Sequence, residues 1–237
     1  MLGTTALAGS FALPPPARLP MSSTAADNAD RPLVLIVDDD EEIRSALQEL
    51  LQSVGIDACC FGSTQELLRT DLPERPGCLI LDVRMPGASG LDLQQHLASK
   101  GNTRPIIFLT GHADVAMTVQ AMKAGAADFL TKPVRDQTLL DAVTAGIEKD
   151  ISLIAAARHI KQQVDRYSKL TPREREVLRE VAKGRLNKQI AFDLGISEVT
   201  VKLHRGSVTK KMQATSVAQL IRIWELLPAA VREEKTP

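Results

Sequence analysis

The run Cys78-Leu-Ile-Leu-Asp-Val-Arg-Met-Pro-Gly87 gives the first indication of the fold, and Asp82 lies at its centre. Three apolar residues, Leu79 to Leu81, run directly into an acid, and Pro86-Gly87 then breaks the chain. A short apolar run bounded by turn residues predicts a strand that is buried on both faces. Asp82 would therefore lie at the carboxyl end of a strand, where open α/β sheets place their ligand sites. A lone aspartate there is often only a turn cap, so the rest of the chain must decide its role.

Strand and helix patterns alternate on both sides of this stretch. Gly55 and Gly125 end two of the helices, and Ser63 with Glu66 predicts a capping box for a third. Five alternations in about 115 residues predict a flavodoxin-like α/β fold, in which a parallel five-stranded sheet carries helices on both faces. The predicted strands are 33–37, 56–61, 79–81, 106–109 and 127–130.

Polar residues follow four of these strands at the point where each strand ends. Asp38 and Asp39 follow the first strand, Asp82 ends the third, Thr110 ends the fourth and Lys132 ends the fifth. Crowded carboxylates raise one another's pKa unless a cation is present, and Mg2+ prefers such oxygen ligands. The Lys132 ammonium and the Thr110 hydroxyl suit phosphate oxygens, so Asp82 is predicted to be the nucleophile that forms an acyl phosphate. Considered alone, Thr110 is explained equally well as a helix cap, and Lys132 is explained equally well as a solvated charge at the end of a strand.

With these residues in place, positions 33 to 145 resemble the receiver domains of two-component response regulators. The resemblance rests on four motifs, namely Val37-Asp38-Asp39, Leu81-Asp82-Val83-Arg84-Met85-Pro86-Gly87, Leu109-Thr110-Gly111-His112 and Thr131-Lys132-Pro133.

The resemblance implies that Asp82 accepts phosphate from a cognate sensor histidine kinase. It implies that Mg2+ contacts Asp39, Asp82 and the backbone carbonyl of Arg84, while Asp38 reaches the ion through water. Thr110 and Phe129 would be the residues that move on phosphorylation and reshape the face formed by helix four, strand five and helix five. The receiver would catalyse only its own phosphorylation and dephosphorylation, so the chain is expected not to be an enzyme in the usual sense.

The carboxyl-terminal part of the chain has the opposite charge. Residues 33–145 contain 16 acids and 9 bases, whereas residues 168–237 contain 14 bases and 8 acids. This asymmetry predicts an acidic domain joined to one that binds a polyanion, although chance variation of a solvated surface is the simpler interpretation.

Three short helices are predicted in this basic part. Thr171 and Glu174 form a capping box for the first, and a second helix, 187–194, ends at Gly195. A third helix, 198–212, begins after the cap Ser197. Short helix, glycine turn and second helix together form the helix-turn-helix pattern, and an ordinary basic helical bundle is the alternative.

A helical wheel divides the third of these helices into two faces. Val201, Val208 and Met212 are expected in the core. Apolar residues among lysines on the other face are typical of a helix that enters the major groove, where apolar side chains meet thymine methyls and lysine donates to guanine. That face contains Val199, Lys202, Leu203, Gly206 and Lys210.

This part of the chain resembles the LuxR-type output domain of the NarL/FixJ class, and within it the FixJ/TodT/StyR subgroup. The matching runs are 170–178, 187–191 and 200–205. Some members have a base-contacting lysine where this chain has Gly206, so a different operator is expected. A fourth helix, about 216–227, would form a dimer contact on DNA through Ala218, Leu220, Ile221, Ile223 and Trp224. The expected DNA-binding residues are Lys188, Thr200, Lys202, Leu203, His204, Arg205 and Lys210.

The remaining expectations concern the boundaries and the surroundings of these domains. Residues 1–31 are rich in Ala, Ser, Thr and Pro and are expected to form a disordered tail. The receiver is expected to span 32–148, a helical linker 149–167 and the DNA-binding domain 168–237. The three cysteines, Cys59, Cys60 and Cys78, suit buried apolar positions better than disulfides. No apolar run is long enough for a membrane helix, and a cytoplasmic location is expected.

These features predict a transcriptional response regulator that is phosphorylated at Asp82, forms a homodimer and binds double-stranded promoter DNA. RNA polymerase is a further candidate partner. The alternatives are a Mg2+-dependent phosphatase or phosphotransferase acting on small molecules, and a phosphorelay protein whose basic domain binds protein or RNA. The first alternative lacks a second acid two residues after the nucleophile, because Arg84 stands there.

Overall fold

The computed structural model describes residues 31–112 and 114–233. The chain divides into two compact units between Leu153 and Ile154. Apart from Arg31, the predicted amino-terminal tail lies outside the described residues. Among the described helices, none has the length and the apolar composition that crossing a bilayer requires.

The first unit contains a parallel five-stranded sheet, which confirms the predicted fold class. The strand order is β2-β1-β3-β4-β5. The connection after β2 therefore passes β1 and places β3 on the other side of β1. Three strands differ slightly from the prediction. Strand β2 begins one residue later, β4 ends one residue later, and β5 is shifted by one residue toward the carboxyl end. The strands are β1 (Leu33–Val37), β2 (Asp57–Phe61), β3 (Leu79–Leu81), β4 (Ile106–Thr110) and β5 (Asp128–Thr131).

Helices follow each strand, and their side chains cover both faces of the sheet in two apolar clusters. Asp40 caps the first helix and Ser63 the second, each by accepting backbone N–H groups. The capping box predicted at Ser63 is altered, because the Glu66 carboxylate accepts from the N–H of Gly62 rather than from that of Ser63. The helices are α1 (Glu41–Ser53), α2 (Thr64–Arg69), α3 (Gly90–Ser99), α4 (Val115–Lys123) and α5 (Asp136–Ser168).

Helix α4 carries an apolar stripe that remains exposed. Val115, Val119 and Met122, whose spacing predicts the helix, are 82%, 45% and 45% exposed, while Ala121 is fully buried. The helix therefore packs on the sheet through a small residue and presents its larger apolar residues to solvent.

The second unit is helical and encloses its own core, to which the end of α5 contributes Tyr167. Helix α6 begins with the predicted capping box, in which Thr171 and Glu174 each accept a backbone N–H from the other. Gly195 ends α7 in the left-handed conformation, and Ser197 caps α8. The helices are α6 (Pro172–Ala182), α7 (Asn187–Leu194), α8 (Glu198–Lys211), α9 (Val217–Leu226) and α10 (Ala229–Arg232).

Candidate functional site

The carboxyl ends of the parallel strands bring the predicted polar residues together. Lys132 follows β5, and its Nζ donates to Oδ2 of Asp38 at 2.5 Å and to Oδ2 of Asp82 at 2.9 Å. The strand register explains this meeting, because Val37 pairs with Leu81 in neighbouring strands, so the residues after them share one edge. Asp38 and Asp82 are buried, whereas Asp39 is exposed.

Backbone groups hold these carboxylates in position. Oδ1 of Asp38 accepts the N–H of Asp40 at 3.0 Å, and Oδ1 of Asp82 accepts the N–H of Arg84 at 3.1 Å. Nη1 of Arg44 donates to the Asp38 carbonyl at 2.7 Å. The sequence motifs did not indicate this role of Arg44, since it depends on how far a side chain of α1 reaches.

Thr110 and Phe129 lie on neighbouring strands close to this edge. Thr110 is buried at the end of β4, and its hydroxyl accepts the N–H of His112 at 3.4 Å, so it does cap its own turn. The half-buried ring of Phe129 lies 5.8 Å from that of Phe108, measured between centroids. Both residues therefore lie near the acidic pocket, and their part in a switch remains a prediction.

Burial and the neighbouring charges shift the pKa values of Asp38 and Lys132 in opposite directions. Burial raises the pKa of the Asp38 carboxyl, and the hydrogen bonds from Lys132 and the Asp40 backbone only partly oppose that rise. Burial alone would lower the pKa of Lys132, but its bonds to Asp38 and Asp82 outweigh burial and raise that pKa above the ordinary value. Lys132 is therefore firmly cationic.

The three acids also fit a divalent cation. Asp38, Asp39 and Asp82 each offer a ligand oxygen, and these oxygens lie within 4.8 Å of one another. One ammonium faces three carboxylates, which leaves an excess of negative charge. Three carboxylate oxygens this close together are hard ligands, which suit Mg2+ or Ca2+ rather than a softer ion. The pocket could therefore hold such a metal.

The second unit presents the predicted face of α8 to solvent. Val201, Val208 and Met212 are 0%, 1% and 0% exposed, whereas Val199 and Leu203 are 71% and 68% exposed. The helical wheel is thus confirmed for the core residues and for the exposed apolar pair. The open face forms a shallow depression lined by Val199, Lys202, Leu203, Gly206, Ser207 and Lys210.

The other predicted DNA-binding residues have more varied surroundings. Lys188 on α7 is exposed, and the half-buried Thr200 donates its backbone N–H to the Ser197 hydroxyl at 3.0 Å. His204 is half-buried. Nη1 of Arg205 donates to Oδ1 of Asn187 at 2.6 Å, so this guanidinium joins α8 to α7. Arg205 therefore has a structural contact that the wheel did not predict.

The first unit has an acidic pocket at the carboxyl edge of a (βα)5 sheet, and the second has a helix-turn-helix with an exposed basic and apolar helix. This combination defines the class of DNA-binding response regulators. Comparison with known proteins agrees. The family model for the response regulator receiver domain matches residues 34–144, and the model for bacterial regulatory proteins of the luxR family matches residues 168–224.

Known relatives match this chain over most of its length. Nodulation protein W of Bradyrhizobium diazoefficiens is 50% identical over 82% of this chain and 86% of that protein. The response regulator TodT of Pseudomonas putida F1 is 42% identical over 90% of this chain and 94% of its own. The solved structure of the response regulator StyR is 44% identical, covers 82% of this chain and 98% of its own, and has a TM-score of 0.73.

The chain therefore belongs to the two-component response regulators with a LuxR-type DNA-binding domain, and it is a transcriptional regulator.

Proposed function

We propose that this regulator is activated by phosphorylation of Asp82 and then binds promoter DNA as a homodimer. The observation that carries the proposal is the position of Lys132, whose ammonium contacts both Asp82 and Asp38 at the carboxyl edge of the sheet. An ammonium in this position can neutralise a phosphoryl group on Asp82 as readily as it neutralises the carboxylate.

The phosphoryl donor is proposed to be a phosphohistidine of a cognate sensor kinase. A carboxylate oxygen of Asp82 attacks the phosphorus, the P–N bond breaks, and its electron pair stays on the imidazole of the donor. Lys132 would then contact the phosphoryl oxygens, and the Thr110 hydroxyl would donate to one of them. Arg84 stands where a second catalytic acid would be, so steady turnover of an added phosphate ester is not expected.

Mg2+ is proposed as the metal of the pocket. Asp39, Asp82 and the backbone carbonyl of Arg84 would hold it, with Asp38 bound through water. The support is the convergence of the three carboxylates and the charge that Lys132 leaves uncompensated. When bound, the ion supplies positive charge that offsets the developing charge of phosphoryl transfer.

Phosphate adds charge that the pocket can neutralise only if Thr110 and Lys132 rearrange around it. We propose that this shifts an existing equilibrium, with Phe129 turning inward as Thr110 moves. The exposed stripe of α4 next to β5 offers apolar surface for receiver dimerisation, and it comprises Val115, Val119 and Met122. RNA polymerase is proposed as a further partner at promoters, and the cytoplasm is proposed as the location of the protein.

The DNA-binding surface is proposed to be the open face of α8. Val199 and Leu203 would meet thymine methyls, and Lys202 and Lys210 would donate to base edges or phosphates. The further DNA-binding residues proposed are Lys188, Thr200, His204 and Arg205. The domains are proposed as residues 32–148, a linker over 149–167 and residues 168–237, with the amino-terminal 1–31 as a tail.

Phosphorylation is tested by labelling with acetyl phosphate. Asp82→Asn is expected to abolish uptake of labelled phosphate while leaving the circular dichroism spectrum unchanged. Asp71→Asn is the matched control, because Asp71 is an exposed acid outside the pocket. Full labelling of Asp82→Asn would refute the assignment.

DNA binding is tested by titrating salt. Lys202→Ala is expected to weaken binding to promoter DNA and to reduce the slope of log K against log salt by about 1 if the lysine meets a phosphate. Lys169→Ala, an exposed lysine outside α8, serves as the control. Unchanged affinity across the titration would remove Lys202 from the interface.

A further inference from the structure

Tyr167 joins the end of α5 to the core of the second unit. Its side chain is 2% exposed, although it belongs to the helix expected to act as a linker. It packs in one cluster with Leu170 and core residues of α6 and α9, and Val164, nearly one turn earlier on α5, lies at the edge of the same cluster. The last turns of α5 are therefore part of the folded DNA-binding unit.

Two contacts fix the Tyr167 ring. The ring of Trp224 on α9 lies 6.1 Å away between centroids at an angle of 56°. Cζ of Arg175 on α6 lies 5.1 Å from the centroid of the Tyr167 ring, and Nη2 of Arg175 donates to the Ser168 carbonyl at 3.2 Å. Tilted aromatic pairs and cation–π contacts both restrain ring orientation. Tyr167 thus connects α5 with α6 and α9.

Trp224 belongs at the same time to an open apolar stripe on α9. Val217, Ile221 and Trp224 are spaced four and three residues apart, so they share one face of the helix. Val217 is 48% exposed, and the other two are half-buried. Leu220 and Ile223 face the core instead. The orientation of the Trp224 ring therefore helps to shape the surface that α9 presents to solvent.

A second copy of this chain suits the stripe better than another partner does. A two-fold contact brings identical surfaces together, and an apolar stripe is complementary to itself. Arg222 and Glu225, both exposed on α9, have opposite charges, so a two-fold pair can place each beside its opposite in the other copy. The stripe also lies in the same folded unit as α8. A two-fold operator would bind two copies of this unit side by side, which would bring their stripes close to each other.

We propose that Tyr167 is a positioning residue for self-association of the DNA-binding unit. Through Trp224 it holds the stripe in the shape that a second copy packs against on a two-half-site operator. This proposal rests on the proposed function, and it adds that the end of α5 supports the dimer contact.

The test compares Tyr167→Ala, Tyr167→Leu and Tyr167→Phe in the full-length protein after incubation with acetyl phosphate. The probe is a DNA duplex selected from a random pool by the wild-type protein, together with a version in which one half-site is scrambled. Tyr167→Ala and Tyr167→Leu are expected to bind the complete duplex at least tenfold more weakly and the single half-site within about twofold of wild type. Tyr167→Phe, which keeps the ring, is expected to match wild type on both.

Fluorescence gives an independent reading, because Trp224 is the single tryptophan of the chain. Its emission is expected to shift to the red in Tyr167→Ala and Tyr167→Leu, but not in Tyr167→Phe. Unchanged binding of the complete duplex by a folded Tyr167→Leu would overturn the proposal, and so would an equal loss on both duplexes. If the wild-type protein selects no duplex at all, the proposed function fails instead.

Discussion

Nζ of Lys132 lies 2.9 Å from Oδ2 of Asp82, although the two residues are 50 positions apart in the chain. The same nitrogen contacts Asp38, so one ammonium joins the ends of three strands. The Asp38 and Asp82 side chains are 3% and 10% exposed, which means that solvent compensates little of their charge. Lys132 therefore contributes to folding and to the proposed chemistry through the same contacts.

Removal of this ammonium is expected to destabilise the first unit. Lys132→Ala leaves two buried carboxylates without their cation, and at pH 7 without Mg2+ the free energy of unfolding should fall by about 3 kcal/mol. Urea denaturation followed by circular dichroism measures the loss, while Trp224 fluorescence reports on the second unit alone. The control, Lys123→Ala at the exposed end of α4, should change stability by less than about 0.5 kcal/mol. An equal effect of both substitutions would contradict the proposed role of the Lys132 contacts.

The second unit should lose stability in acid because of Glu174. Burial would raise the pKa of this carboxyl, but the hydrogen bond from Lys211 and the bonds from Thr171 outweigh burial and lower the pKa below its ordinary value. An acid with a lowered pKa in the folded state stabilises the protein above the pKa of the unfolded chain, and this stability disappears as the pH falls through the folded pKa. Acid titration monitored by Trp224 fluorescence should show the loss.

Substitution of this glutamate gives the corresponding control. Glu174→Gln is expected to lower stability at pH 7 by about 1 kcal/mol, since it removes the carboxylate of the capping box. The variant should depend less on pH in the acid range than the wild-type protein. Glu176→Gln, on the same helix and paired with Arg173 at the surface, should keep the acid dependence of wild type.

Local sequence patterns predicted most of the helices and strands in this chain. The strand Leu33–Val37 and the capping box of Thr171 with Glu174 have the predicted bounds and contacts, because each depends on residues close together in sequence. The common edge of Asp38, Asp82 and Lys132 was also predictable, since parallel strands must end on the same side of a sheet.

The contacts that long side chains make between different helices and strands were not predictable in the same way. Nothing in the sequence shows that Arg205 bonds to Asn187 rather than pointing freely to solvent, or that Arg44 holds the Asp38 carbonyl. The burial of Tyr167 was likewise hidden, because the helical pattern of α5 runs through it without a break. Such contacts depend on packing between distant elements, and periodicity reports only which face of an element is apolar.

The cysteines are expected to react slowly with thiol reagents. Burial raises the pKa of Cys60 to about 11 and that of Cys78 to about 12, and it also raises the pKa of Cys59. At pH 8 the thiolate fraction of Cys60 is then on the order of 100-fold smaller than that of an ordinary cysteine. Ellman's reagent should label the native protein slowly and all three thiols rapidly in guanidinium chloride; rapid labelling of the native protein would contradict these environments.

Substitutions on the exposed face of α8 should weaken DNA binding, whereas substitutions on its buried side should lower stability. Leu203→Ala truncates an exposed side chain and should change the free energy of unfolding by less than about 0.5 kcal/mol, while weakening DNA binding about tenfold because an apolar base contact is lost. Met212→Ala creates a cavity in the core and should cost about 2–5 kcal/mol of stability. Thermal melts and binding isotherms on the two variants measure both quantities. If Leu203→Ala destabilises the unit as much as Met212→Ala, Leu203 has a packing role, and the exposed face of α8 is not primarily a DNA-reading surface.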